Sequence, residues 1–257
     1  MSREREPLPT HVGDTPALPS AFDLALRRGL ADLRIDLDEA ARDAIDGHVR
    51  LLLAWTEAVN LTAIRTPEAV AMSHVIDSLT AVRLLRERRV DRLLDLGSGG
   101  GFPGLPLAAT LPSLRVTLLE PVAKKARFLA TAVDATGLAG RVTVVTARAE
   151  TLARDGVHRG RWPAIAARAV GSLADLVELA FPLLARRGLL LAWKRGDLDA
   201  ELAAARRAIE ALGGGTLEVH AVAVQGLAGH ELVAASPSGE VPLAYPRDPA
   251  ARRRRPW

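Results

Sequence analysis

The sequence predicts an α/β fold: a seven-stranded, mostly parallel sheet with an antiparallel last strand, preceded by a helical N-terminal extension. Three observations carry this reading. The apolar run Leu93-Leu94-Asp95-Leu96 breaks into Gly97-Ser98-Gly99-Gly100-Gly101-Phe102-Pro103-Gly104 and then an alanine-rich apolar segment, the pattern of strand, tight loop and helix. From Val90 onward, strand-like and helix-like segments alternate, as crossover-connected parallel strands require. Only Gln225-Gly226-Leu227-Ala228-Gly229 separates the sixth and seventh strands, too little for a crossover, so those two should be antiparallel.

Each element has its own signal. Apolar residues recur at helical spacing over Phe22 to Leu33 and Asp38 to Val59, where Leu37, Ala41, Ile45, Val49, Leu52 and Leu53 would line one stripe. Thr66-Pro67-Glu68 reads as an N-cap, a proline at the first helical position and an early acid, so another helix starts there. It should break or bend near His74 and resume through Leu85. Strands are expected at 91–96, 115–119, 142–146, 163–167, 188–193, 217–224 and 230–235. Helices are expected at 104–110, 122–136, 149–153, 172–185 and 198–212. The chain then divides into a disordered leader (1–20), a helical cap (21–89), a ligand-binding α/β domain (90–236) and a basic C-terminal tail (237–257).

Composition narrows the class. The 257 residues suit one large domain with a helical extension. The absence of cysteine excludes disulfides, thiolate metal sites and cysteine nucleophiles, including those used in pyrimidine C5 methylation; no metal site is expected. No apolar run approaches the length of a membrane span, and Met1 to Pro19 holds no apolar signal core, so a cytoplasmic protein is expected. Net charge is only +4, but Arg252-Arg253-Arg254-Arg255 concentrates positive charge at one end. That suits a nucleic-acid partner, and equally a solvated tail.

The glycine loop points to a nucleotide-type ligand at the carboxyl ends of the strands. Gly99, Gly101 and Gly104 satisfy the dinucleotide spacing G-x-G-x-x-G. Asp95, two residues before Gly97, favours the loop of a class I (Rossmann-like) methyltransferase instead. S-adenosyl-L-methionine carries an ammonium and a sulfonium, which a strand-end carboxylate attracts, whereas a pyrophosphate would be repelled. Glu120 ends the second strand, where an acid can accept from both ribose hydroxyls or cap a helix. Ala149 and Glu150 follow the third strand, where adenine would lie; Glu150 accepts from a base nitrogen or begins a helix. Arg168 ends the fourth strand and could hold a carboxylate, the target nucleotide or a phosphate, or pair with Asp95 or Asp175. Asn60, His74, Asp77 and Ser78 form a second group. They either line the target pocket or make a hydrogen-bond network that docks the helical cap on the sheet. Lys124, Lys125 and Arg127 face phosphates or solvent, and Trp193 stacks on a base or packs in the core.

Several motifs taken together resemble the glucose-inhibited division protein B family. They are Asn60-Leu61-Thr62-Ala63-Ile64, His74 with Asp77-Ser78-Leu79, and Gly101-Phe102-Pro103-Gly104. Lys124-Lys125 with Phe128-Leu129, Arg148-Ala149-Glu150, Arg168-Ala169-Val170 and Tyr245-Pro246-Arg247 complete the set, over roughly residues 45 to 247. The resemblance implies an S-adenosyl-L-methionine-dependent methyltransferase acting on N7 of a guanine in 16S ribosomal RNA or the small ribosomal subunit, as a monomer. It also implies that Gly97, Phe102, Ala149, Glu150 and Arg168 contact the cofactor. The sequence departs from the family pattern at Trp162-Pro163, at Lys194-Arg195-Gly196 and in the short arginine-rich end. A methyltransferase for a protein or small molecule, a nicotinamide-dependent oxidoreductase and a non-catalytic RNA-binding module are the competing readings.

Overall fold

The computed structural model describes residues 7–257 and centres on strand β1, Arg92–Leu96, whose Leu93, Leu94 and Asp95 are wholly buried. Parallel neighbours flank it: β2 (Arg115–Leu119) and β3 (Val142–Val145) on one side, β4 (Trp162–Arg168) and β5 (Leu184–Arg195) on the other. Strands β6 (Gly215–Ala221) and β7 (His230–Pro237) complete the order β3-β2-β1-β4-β5-β7-β6. The last strand is antiparallel to both its neighbours, and it lies between β5 and β6 instead of at the edge. The central strands are covered on both faces. Hence Ala164-Ile165-Ala166-Ala167 reads as a continuous apolar run, while edge strand β6 stays half exposed.

One face carries the N-terminal helices. Helix α1 spans Ser20–Leu33 and α2 spans Glu39–Val59, capped by Asp38, whose Oδ1 accepts from the Ala41 amide at 2.8 Å. The predicted stripe of α2 is buried except Leu53, which is half-buried. Helix α3 (Pro67–Val70) starts at the Thr66 cap. A π-helical turn over Ala71–Ile76 interrupts the α-helix near His74, where a break or bend is expected, followed by α4 (Asp77–Leu79) and α5 (Val82–Glu87). Helices α6 (Gly104–Thr110) and α7 (Ala123–Ala135) share this face, and α8 (Ala149–Arg154), α9 (Leu173–Ala180) and α10 (Asp199–Ala211) cover the other. Helix α9 ends short of the expected residue 185, because Pro182 has no N–H to continue it and β5 begins at Leu184. No helix of the described residues is long and apolar enough to cross a membrane.

Both chain ends differ from expectation. Residues 7–19, expected to be disordered, lie against α2: Trp55 Nε1 donates to the Pro9 carbonyl at 2.8 Å, and Arg50 donates to the carbonyls of Val12 and Thr15. Residues 1–6 lie outside the described part. The C-terminal tail, expected as a basic extension, returns to the sheet and forms α11, Pro249–Arg254. Its anchor is Glu178 on α9, which is wholly buried. The Glu178 carboxylate accepts from the Arg247 backbone (2.8 Å), from Arg247 Nη2 (2.6 Å) and from Trp257 Nε1 (2.7 Å). The Arg247 guanidinium lies 4.5 Å from the Trp257 ring centroid. Glu178→Ala should therefore lower stability by about 3 kcal/mol, the lower end for removing one partner of a buried pair, because Arg247 keeps some solvent. Urea unfolding measures that loss, and faster trypsin cleavage within Arg252–Arg255 reports release of the tail.

Candidate active site

The loop after β1 is shaped by close contacts. Gly97 has φ 77°, and a Cβ there would fall 2.7 Å from Val170 Cγ2. A Cβ on Gly104 would fall 2.6 Å from Asp95 Oδ2, the atom that accepts the Gly104 amide at 2.9 Å. Gly99 and Gly101 also have positive φ. Asp95 was expected to face the cationic end of a ligand directly. It is instead fully buried behind the loop and tethers the start of α6. Burial pushes its pKa up to about 7, opposed by the Gly104 amide. Glu120 is the partner brace: its oxygens accept from Gly99 N and Val122 N, each at 2.9 Å, tying the loop to the end of β2.

A cavity of about 430 Å³ opens beyond these strand ends, lined by Gly97, Pro121, Ala149, Glu150, Val170 and Arg252 among others. It sits at the carboxyl ends of β1, β2 and β3, beside the point where strand order reverses between β1 and β4. Its walls fit an adenine nucleoside. Gly97 offers bare main chain, Ala149 begins α8 with an N–H that has no intrahelical partner, and Glu150 supplies an acceptor. Sequence reasoning did not find Arg252 here; it donates to Glu150 Oε1 at 2.5 Å from 102 residues away.

The second group lies next to the loop, and its centre is Arg168. Arg168 Nη1 donates to Ser73 O (2.8 Å) and Asp77 Oδ2 (3.2 Å), and Nη2 donates to His74 Nδ1 (2.8 Å). Its ion-pair partner is thus Asp77, not Asp95 or Asp175. Asp77 Oδ1 also accepts from His230 Nδ1 (3.0 Å), and Trp193 Nε1 donates to the Asp77 carbonyl (2.7 Å). The Phe102 ring sits between His48 (4.6 Å between centroids) and His74 (4.7 Å), with the Arg168 guanidinium 5.2 Å away. Ser78 is wholly buried, its hydroxyl donating to the His74 carbonyl at 2.6 Å. Asn60 ends α2 in the left-handed region (φ 54°) with an exposed side chain, apart from the cluster. Of the candidates for the target pocket, the structure therefore joins His74, Asp77, Ser78 and Arg168 as a docking network and leaves Asn60 outside it.

His48 escaped sequence reasoning because it looks like one more residue of a buried stripe. Its Nε2 donates to Gly100 O at 2.7 Å, pinning the loop to α2. Burial lowers its pKa to about 4. Burial, then the Arg168 charge, lowers that of His74 to about 3. Because Arg168 always donates, His74 Nδ1 is the acceptor and Nε2 carries the proton toward Thr62 Oγ1, 2.7 Å away.

Comparison with known proteins bears on this geometry. A family profile described as rRNA small subunit methyltransferase G matches residues 42–228. The chain belongs to that family. The ribosomal RNA small subunit methyltransferase G of Roseiflexus sp. (strain RS-1) is 44% identical over 205 residues, 80% of this chain and 87% of the relative. That of Deinococcus radiodurans is 39% identical over 233 residues, 90% of this chain and 91% of the relative. Among solved structures, the S-adenosylmethionine-dependent methyltransferase SibL gives a TM-score of 0.52 at 18% identity, over 85% of this chain and 76% of that one. The Bacillus cereus O-methyltransferase in complex with SAH gives 0.50 at 17%, over 80% and 94%. At such identities these two establish the class I methyltransferase fold alone. Family membership makes the chain an S-adenosyl-L-methionine-dependent rRNA methyltransferase and sets aside the oxidoreductase, the non-catalytic module and the protein or small-molecule substrate.

The buried groups predict a pH dependence. Between pH 6.5 and about 4 the unfolded chain protonates both histidines and the folded chain protonates neither, so stability falls as pH falls. Asp95 acts oppositely: from the ordinary 3.8 to about 7 the folded state keeps a proton that the unfolded state has lost. Two groups outweigh one. His74→Gln should flatten the loss of stability from pH 6.5 to 4.5 by about one proton, and Asp95→Asn should steepen it. Urea midpoints at three pH values in that window measure both slopes; slopes equal to the parent's would refute the assignment.

Proposed function

We propose that this chain methylates N7 of a guanine in 16S ribosomal RNA by direct in-line methyl transfer, as a monomer in the cytoplasm. The observation that carries the reading is the cavity at the ends of β1, β2 and β3, with a glycine wall on one side and Glu150 on the other, in a chain of this family. In this reading Gly97 lets the cofactor lie against main chain. Glu120 presents its remaining lone pairs to the ribose hydroxyls, and Ala149 N–H and Glu150 meet adenine. Asp95, Gly99, Gly101 and Phe102 hold the loop in shape, and Arg168 fixes the floor between loop and helical cap.

When bound, S-adenosyl-L-methionine supplies an activated methyl group. Guanine N7 carries an in-plane lone pair and no proton, so the nucleophile needs no general base. The chain agrees with that economy. Its buried histidines hold pKa values of about 4 and about 3 and serve as hydrogen-bond partners, not proton acceptors. The residues' work is alignment and water exclusion, and orientation of this kind supplies about 7–11 kcal/mol of a barrier.

In a regular A-form helix N7 faces a deep, narrow groove, so the target guanine must be in an opened or looped segment. Arg148 and Arg253 line the cavity and are exposed, and Arg254 and Arg255 follow Arg253 as exposed residues at the end of α11, so the group suits phosphates. The decisive experiment incubates small subunits from cells lacking the protein with tritiated donor and maps the product. Label recovered as 7-methylguanosine at one position supports the reading; label on a ribose or an exocyclic amine, or none, overturns it. Replacing Arg253, Arg254 and Arg255 together by alanine should weaken RNA binding severalfold and lower the slope of log affinity against log salt by about two. Filter binding at four salt concentrations measures that slope.

A further inference from the structure

We infer that Arg252, on the C-terminal helix, is a positioning residue that makes the cofactor site selective for an amino-bearing purine. The inference rests on the placement of adenine over Ala149 and Glu150 proposed above. Glu150 is the carboxylate in that part of the cavity and has two oxygens to direct. Arg252 Nη2 engages Oε1 at 2.5 Å, while Oε2 has no protein donor among the described residues. Both side chains are nearly buried, 13% and 11% exposed, so the pair is little screened and its geometry is held. A carboxylate held by one oxygen turns the other toward the cavity as an acceptor. The 6-amino group of adenine donates to such an oxygen. The 6-keto group of hypoxanthine presents a lone pair to it and is repelled.

The rest of the tail keeps Arg252 there. Asp248 caps α11 by accepting from Ala251 N at 2.8 Å. Arg247 is held by Glu178 and donates through Nη1 to the Arg255 carbonyl at 2.8 Å. Arg159 donates to the carbonyls of Tyr245 (2.9 Å) and Pro242 (3.0 Å), fixing the chain leading in. Pro249, Arg252, Arg253 and Pro256 thereby form a wall of the cavity that neither the glycine loop nor the strand ends provide. The tail acts on the reaction through Glu150 and touches none of the reacting atoms.

The test measures, by calorimetry on the full chain, the affinities for S-adenosylhomocysteine and its deaminated analogue S-inosylhomocysteine. The parent should prefer the adenine compound about tenfold or more, as one good hydrogen bond against one repulsion allows. Arg252→Ala should shrink that ratio to about threefold or less while the melting transition remains cooperative. Arg252→Lys, which keeps a donor near Oε1, should restore part of it. The ratio is the readout because a general loosening of the site weakens both ligands alike. If Glu150→Ala removes the preference and neither Arg252 variant changes it, Arg252 does not position Glu150 and the inference fails alone. If Glu150→Ala leaves the parent ratio intact, adenine does not lie there and the underlying placement fails with it.

Discussion

The guanidinium of Arg168 joins the two halves of this molecule. It stands at the end of β4, yet its partners belong to the π-helical turn and α4: the Ser73 carbonyl, His74 Nδ1 and the Asp77 carboxylate. A nearly buried cation and anion are individually unfavourable away from water, and removing either leaves the other uncompensated. Asp77 also receives His230 from β7, and its carbonyl receives Trp193 from β5. The helical cap is therefore keyed to β4, β5 and β7 at once through one short stretch of chain. Phe102 extends the junction into the cofactor loop, because its ring fills the space between His74 and His48. Loop shape thus depends on cap docking, and the cap is part of the site's framework, not an appendage to it.

The acids of the site follow a related rule. Strand-end carboxylates invite the reading that they grip a ligand, and two of the three are committed to main chain. Asp95 accepts from Gly104, and Glu120 from Gly99 and Val122. Glycine-rich turns expose amides that no ladder satisfies, and buried carboxylates are efficient acceptors for them. Arranged this way, the loop is preorganised before any ligand arrives. Glu150 differs: it lines the cavity and is directed by an arginine from the far end of the chain, whereas the partnerless Asp95 Oδ1 is sealed in the core.

Much of the fold was legible in sequence because it rests on local signals. The periodicity of α2, the Thr66-Pro67-Glu68 start, the glycine loop and the five-residue link before β7 all act over a few positions. They predicted the strands within a few residues, the parallel arrangement and the antiparallel finish. The interruption near His74 was foreseen too, and it is the π-helical turn. What escaped depends on pairs distant in sequence. Glu178 meets Arg247 across 69 residues and Glu150 meets Arg252 across 102. Nothing in an arginine run says that one of its members points inward, so the tail read as a nucleic-acid contact or a solvated end, outward in either case. His48 hid inside a helical stripe, and Asp77 read as one member of a helical face, because burial of a polar residue is visible only when its partner is.

The placement of β7 orders events during synthesis. Strand β5 keeps an unpaired edge on that side until residues 230–237 have been made, since β6, completed earlier, does not touch it. An apolar strand with an open edge invites pairing with other chains. The insertion of β7 closes that edge and, through His230, delivers the second donor to Asp77. One strand thus closes the open edge of β5 and adds a further fastening to a cap that Arg168 already holds from β4.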